Sequence, residues 1–168
     1  MNGGVGSCTG IRAAQLADIP DLLALEAEFP TDRLTRAHWR HLLTRGHGLA
    51  LVFTLEDAVV GNVVLFFRKN SSLARVYSLV VKATQRGKGV ARQLMEAAQA
   101  EVYQRGLQGL LLEVRVDNVA AQALYARLGY HLERRLHGFY ADGSDALRLS
   151  KRLVPDRLGA QGLEAAVT

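Results

Sequence analysis

Residues 86–91, Arg86-Gly87-Lys88-Gly89-Val90-Ala91, bring basic side chains and two glycines to the point where an extended run gives way to a helix. Unpaired backbone N–H groups and the positive end of the helix dipole face outward at such a point, and glycine lets an anion approach the main chain. A diphosphate fits that description. The segment is not a Walker A loop, because no Gly-Lys-Ser/Thr closes it, and it lacks the third glycine and downstream acid of a dinucleotide fingerprint. Glu113 is the second chemical feature, a carboxylate inside the apolar run Leu110–Val116. A mid-strand acid is costly to bury unless it is ion-paired or engaged in proton transfer. Arg115, two residues on and hence on the same face, is the pairing partner the spacing predicts. His38 and His41 have helical spacing compatible with a metal, but no third ligand accompanies them and no metal is expected. Cys8 is the single cysteine, which excludes an internal disulfide, and its Gly-rich surroundings suit a nucleophile poorly.

The elements that must position these groups follow from periodicity. Residues 1–10 read as a flexible leader and 154–168 as a weakly patterned tail, with one domain over 11–153. A short strand at Ile11–Ala14 precedes two helices, one capped by Asp18 and one opened by Thr35. Leu49–Leu55 and Val59–Phe67 are β-rich, joined by a tight turn at Glu56-Asp57, and Leu73–Val81 is a third strand. Period 3.6 then runs from Gly89 to about Arg105. Leu110–Val116 is a strand covered on both faces, Asn118 caps a helix that stops at Gly129, and strands at about 130–139 and 145–152 finish the pattern. The helix after Gly89 should join two parallel neighbours. Asn118 and Tyr125 lie about two turns apart, so both face the groove between those strands.

Composition supports one soluble globular domain: 168 residues, 49% hydrophobic and 22% charged. No apolar run nears the roughly 20 residues that span a bilayer, and a cytoplasmic protein is expected. The net charge of +5 is unevenly spread. Between Asp57 and Glu96 stand seven basic residues and no carboxylate, four of them within Lys82–Arg92. A nucleic-acid binder would interleave aromatics there, and none is present.

The run Leu79-Val80-Val81-Lys82-Ala83-Thr84-Gln85-Arg86-Gly87-Lys88-Gly89-Val90-Ala91 resembles the acetyl-CoA signature of the GNAT family of N-acetyltransferases, Arg/Gln-x-x-Gly-x-Gly/Ala after an apolar strand. Asn118-x-x-Ala121-x-x-x-Tyr125-x-x-x-Gly129-Tyr130 resembles the second motif of that family, in the expected order and separation. Leu112-Glu113-Val114-Arg115, together with Asp142-Gly143 and Asp145-Ala146, is similar to the RimI-type members that acetylate a protein N-terminus. Ala83 departs from the pattern, many relatives having proline there. The resemblance spans about residues 11–153. It implies an α/β (α+β) fold: one mixed, mostly antiparallel sheet of about seven strands with four helices, its central two strands parallel and splayed.

Acetyl transfer from a thioester to an amine needs a base for the amine, polarisation of the carbonyl and a proton for the leaving thiolate. The resemblance implies Glu113 as base and Tyr125 as acid, the Tyr125 hydroxyl lying near the CoA sulfur, with the Val81 N–H meeting the oxyanion. His137 is an alternative base. It also implies acetyl-CoA contacts from Leu79, Val80, Val81, Arg86, Gly87, Lys88, Gly89, Val90, Ala91, Arg92, Asn118 and Tyr125. Asp32 and the hairpin of Tyr140, Asp142 and Asp145 would border the acceptor, their carboxylates drawing in a cationic amine. The expected acceptor is a peptide or protein N-terminal α-amine, the alternatives being a polyamine or antibiotic amine, or a non-catalytic acyl-CoA-binding module. A monomer or homodimer without nucleic-acid or membrane partners is expected.

Overall fold

A computed structural model describes residues 7–29 and 33–153. Most of the leader expected over 1–10, Asp32, and the tail expected over 154–168 lie outside the described residues. In chain order the elements are β1 (Gly10–Ala13), α1 (Ile19–Glu26), α2 (Arg36–Arg45), β2 (Gly48–Leu55), β3 (Ala58–Phe66), β4 (Leu73–Val81), α3 (Val90–Gln104), β5 (Gly109–Arg115), α4 (Val119–Arg127), β6 (His131–Leu136) and β7 (Ala146–Arg152). The seven strands form one sheet, ordered β1-β2-β3-β4-β5-β7-β6. Every pairing is antiparallel except β4 with β5, the pair that α3 connects. This is the mixed, mostly antiparallel α/β sheet with four helices that the sequence implies.

Local chemistry accounts for most boundaries. Glu56 and Asp57 both take positive φ, 50° and 69°, the conformation whose twist matches a two-residue hairpin. Thr35 caps α2 by accepting the His38 N–H at 3.2 Å. Two expectations change. Asp18 precedes α1 but does not cap it with its side chain. Its carboxylate instead accepts the Gln15 N–H at 2.7 Å and pairs with Arg12 at 2.7 Å, which lowers its pKa, the Arg12 hydrogen bond being the largest cause. β6 ends at Leu136 rather than near 139, because the Asp145 carboxylate accepts the Gly138 N–H at 2.9 Å and draws the chain out of the ladder.

Each face of the sheet carries its own core. Leu94, Met95, Ala98 and Val102 of α3 pack against Val63, Leu65, Leu110 and Leu112 on one side. Leu22 and Trp39, both fully buried, pack from α1 and α2 against Val52 and Val64 on the other. At Gly61 a Cβ would stand 3.1 Å from Leu94 and 3.2 Å from Val90, so glycine there lets α3 lie close to the sheet. Among the described residues no helix is long and apolar enough to cross a membrane.

The feature that makes room for chemistry lies at the centre of the sheet. The β4–β5 ladder runs only from Leu73↔Gly109 to Arg75↔Leu111. Immediately beyond, the β3 register steps from Leu65↔Val76 to Val64↔Ser78, leaving Tyr77 as an extra residue on β4. A bulge bends and twists its strand. It occurs where β4 parts from β5, and the two strands open a wedge.

Candidate active site

The wedge exposes backbone that a regular sheet would consume. Lys82 N–H donates to Val60 at 2.8 Å and Val80 lies opposite Asn62, so residues 80 and 82 direct their main-chain groups toward β3. By the alternation of an antiparallel ladder, Leu79 and Val81 direct theirs into the wedge, where β5 no longer pairs. On the α3 side this backbone borders a groove of about 640 Å³. Leu79 and Val81 form one wall, and Arg86, Gly87, Gly89, Val90, Ala91 and Arg92 close its end. Gly87 and Gly89 have φ of 74° and 80°, strained for any side chain, and Gly89 is the residue from which α3 starts. The start of a 15-residue helix thus faces the groove with three arginines at its margin, Arg86, Arg92 and Arg127, and no carboxylate in its lining.

The opposite wall is α4. Asn118 caps it through Oδ1, which accepts the Ala121 N–H at 3.1 Å, while Gln122 Nε2 donates to Arg115 and Val116 carbonyls at 3.0 and 2.9 Å and ties the helix to the end of β5. Ala120, Ala121, Leu124, Arg127 and Leu128 present one helical face to the groove. Sequence reading stopped at Asn118 and Tyr125. Arg127 stands on a different stripe of the helix, seven residues from Ala120 and three from Leu124, which is why the spacing of Asn118 and Tyr125 did not point to it.

The groove leads into a cleft of about 250 Å³ that shares Phe29, Leu79, Asn118, Ala121 and Leu124 with it. Val80, Glu113, Tyr125 and Tyr140 line this cleft rather than the groove. Lys88 lines neither. Tyr125 is 7% exposed, and burial, with a smaller contribution from Tyr140, pushes its pKa up to about 12.

Glu113 is buried, but its partner is not Arg115. Oε2 accepts from Arg75 at 3.2 Å and Oε1 from Arg148 at 3.1 Å. Arg148 stands directly opposite Glu113 in the β5–β7 register. Cross-strand neighbours are about 5 Å apart, closer than residues two apart along one strand, which is why Arg148 displaces the same-strand candidate. Arg115 is drawn the other way, to Asp142 at 2.7 Å, Ser144 at 2.8 Å and the face of Tyr140 at 4.9 Å. Asp142 therefore spends its carboxylate anchoring the β6–β7 loop, with its pKa lowered chiefly by Arg115, and does not line the cleft as the resemblance implied. Tyr140 is what the loop contributes. His137 lies on Asp145 at 3.2 Å, highly exposed and outside the cleft lining.

Among the cleft residues not foreseen is one acid. Glu26, at the end of α1, is 5% exposed and accepts the Leu34 N–H at 3.0 Å and the Trp39 indole N–H at 3.4 Å, both on Oε2. Burial pushes its carboxyl pKa up against those two hydrogen bonds. In sequence it looks like one more acid on an amphipathic helix; only the packing of Leu34 and Trp39 over the end of α1 encloses it.

A groove ending in the Arg86–Gly89 turn opens between the parting parallel strands into a cleft that holds Tyr125, Glu113 and Glu26, and the profile of the Acetyltransferase (GNAT) family matches residues 16–130. The chain belongs to the GNAT acetyltransferase family. It is thus an N-acetyltransferase of a fold that uses acetyl-CoA as acyl donor. It is 30% identical to an N-alpha-acetyltransferase of Saccharolobus solfataricus over 85% of this chain and 92% of that protein. It is 29% identical to N-alpha-acetyltransferase 30 of Schizosaccharomyces pombe over 79% and 89% respectively. The GNAT fold is shared with the ribosomal-protein-S18-alanine N-acetyltransferase of Escherichia coli, at TM-score 0.78 and 22% identity, covering 89% of this chain and 96% of that one.

Proposed function

We propose that this protein transfers the acetyl group of acetyl-CoA to the α-amine of a peptide or protein N-terminus. The observation that carries the reading is the wedge, where a groove with an anion-binding end meets a cleft holding Tyr125 and Glu113 at Leu79 and Asn118. Acetyl-CoA would lay its diphosphate on the Arg86–Gly89 turn and its pantetheine along the unpaired edge of β4. The thioester carbonyl then lies where the Val81 N–H, aimed into the wedge, can meet the developing oxyanion.

The amine nitrogen attacks the carbonyl carbon, the C–S bond breaks, and the proton lost by nitrogen goes to Glu113. Arg75 takes two lone-pair directions on Oε2 and Arg148 one on Oε1, which leaves one on Oε1 for the amine or an intervening water. Tyr125 keeps its proton at neutral pH because burial holds its pKa near 12. It donates to the sulfur as charge develops there, completing transfer only as the thiolate leaves.

A second reading gives the base role to Glu26, favoured by its burial-raised pKa on the other wall of the same cleft. Thiol release from acetyl-CoA tests both readings, with a peptide bearing a free α-amine, its N-terminally blocked twin containing lysine, a polyamine and an aminoglycoside as acceptors. The free α-amine should be the preferred acceptor. Glu113→Gln should lower kcat/KM by roughly 10²-fold at neutral pH, with the deficit shrinking as rising pH supplies free amine, while Glu26→Gln stays within a few-fold of wild type. The reverse pattern assigns the base to Glu26. Preferred transfer to the polyamine or aminoglycoside overturns the N-terminal reading.

A further inference from the structure

Below α2, on the sheet face that carries Tyr77, lies a cavity of about 360 Å³ that the chemistry above does not use. Its floor is apolar, built from Leu42, Phe66 and Tyr77, the last two packed edge to face with centroids 5.2 Å apart. Its rim carries His41, Arg45 and His47, and among the described residues no carboxylate lines it. The sequence explains the sign of the rim: residues 33–55 hold four arginines and three of the five histidines of the chain, without one acid. Among the described residues none of His41, Arg45 and His47 has an acidic partner, and no group of three His, Cys, Asp or Glu side chains is placed to hold a metal ion.

The cavity adjoins the acceptor cleft. Arg33 and Tyr77 line both. Arg33 is held in that position through Nε on the Phe29 carbonyl at 2.7 Å, and Tyr77 is the bulged residue of β4. A chain whose amine sits beside Glu113 would reach, beyond the shared wall of Arg33 and Tyr77, a pocket of apolar floor and cationic rim. At about 3.3 Å per extended residue, a cavity that adjoins the cleft at Arg33 and Tyr77 lies within reach of the first few residues beyond the amine.

We infer that this cavity seats the downstream part of the acceptor and selects peptides carrying an acidic residue beside an apolar one within the first few positions after the acetylated terminus. The inference rests on the N-terminal acetylation reading and extends it to the class of substrate. Charge complementarity chooses this occupant: a basic peptide meets only like charge on the rim, and a purely apolar one leaves the arginines without a counter-charge.

The test is a set of peptides with one N-terminal residue and acidic, neutral or basic side chains at positions two to four, assayed by thiol release. Wild type should show KM about fivefold lower for the acidic peptide than for the neutral one and a still higher KM for the basic one, with similar kcat and a preference that weakens with salt. Arg45→Glu, outside the cleft, should reverse the order while kcat on the neutral peptide stays unchanged, and the milder Arg45→Gln should level it. Equal KM for the three peptides overturns the inference and leaves N-terminal acetylation standing. An acidic preference that persists in Arg45→Glu overturns it as well, since the selectivity then resides elsewhere. If no peptide is acetylated while a polyamine or aminoglycoside is, the parent reading fails and takes this one with it.

Discussion

The groove beside α3 and the cleft it opens into are built differently although they share a wall. The groove draws its basic end from one contiguous stretch, Arg86–Arg92, where Gly87 and Gly89 turn the main chain at the start of a helix. The cleft gathers side chains from the end of α1, the bulged half of β4, the middle of β5, the start of α4 and the β6–β7 loop. Main-chain recognition depends on local conformation, which a short motif dictates. Side-chain chemistry depends on which groups pair first, and here three arginines decide it: Arg75 and Arg148 hold Glu113 in place, and Arg115 holds Asp142 outside the cleft lining.

The contrast breaks most sharply at Gly89. Gly89→Glu forces a non-glycine residue to φ near 80° and places a carboxylate in a groove lined by arginines but meant for a diphosphate. Acetyl-CoA affinity should fall at least ~100-fold, about 2.7 kcal/mol, and the thermal stabilisation that acetyl-CoA confers should disappear. Calorimetry and melting curves check this, and a normal affinity would place the cofactor elsewhere.

Tyr125→Phe should separate the two regions. The ring stays packed on Tyr130, 5.6 Å away, so acetyl-CoA still binds, while kcat drops by roughly 10²-fold from loss of the proton donor. Unchanged turnover would make Tyr125 part of the core only.

The smallest effect concerns Glu26 and is thermodynamic. Its pKa is raised in the folded protein, so between the unfolded and folded values the native state holds the proton more tightly. The stability it contributes is complete below the unfolded value and is lost as pH rises through the folded one. Glu26→Gln keeps an acceptor for Leu34 and Trp39 and cannot ionise. Its Tm should therefore fall less than that of wild type between about pH 4 and neutrality, by a difference on the order of 2 °C. A wild-type pH dependence in the variant would show that Glu26 is not the group responsible.

Much of the fold was legible because its signals are short-range. The Glu56-Asp57 turn, the Thr35 cap, the Asn118 cap and the apolar periodicities of α3 and β5 each act within a few residues. Asp18 misled because an aspartate before a helix satisfies either a cap or a nearby arginine, and Arg12 arrives from β1 only once the chain has folded back. Glu113 was legible as an acid enclosed within a strand, whereas its partners were not, since Arg75 lies 38 and Arg148 35 positions away.

By itself the sequence determined that Gly87 and Gly89 stand where a helix opens after an apolar strand, that β4 and β5 run parallel across α3, and that an acid and a tyrosine lie on the elements flanking that crossover. Tertiary structure alone decided that the Tyr77 bulge would part those strands, that Glu26 would be enclosed in the cleft, and that Arg115 and Arg148 would choose opposite partners. Backbone conformation is set by neighbours along the chain. The partner of a charged side chain is set by neighbours across the sheet, and register, not composition, brings those together.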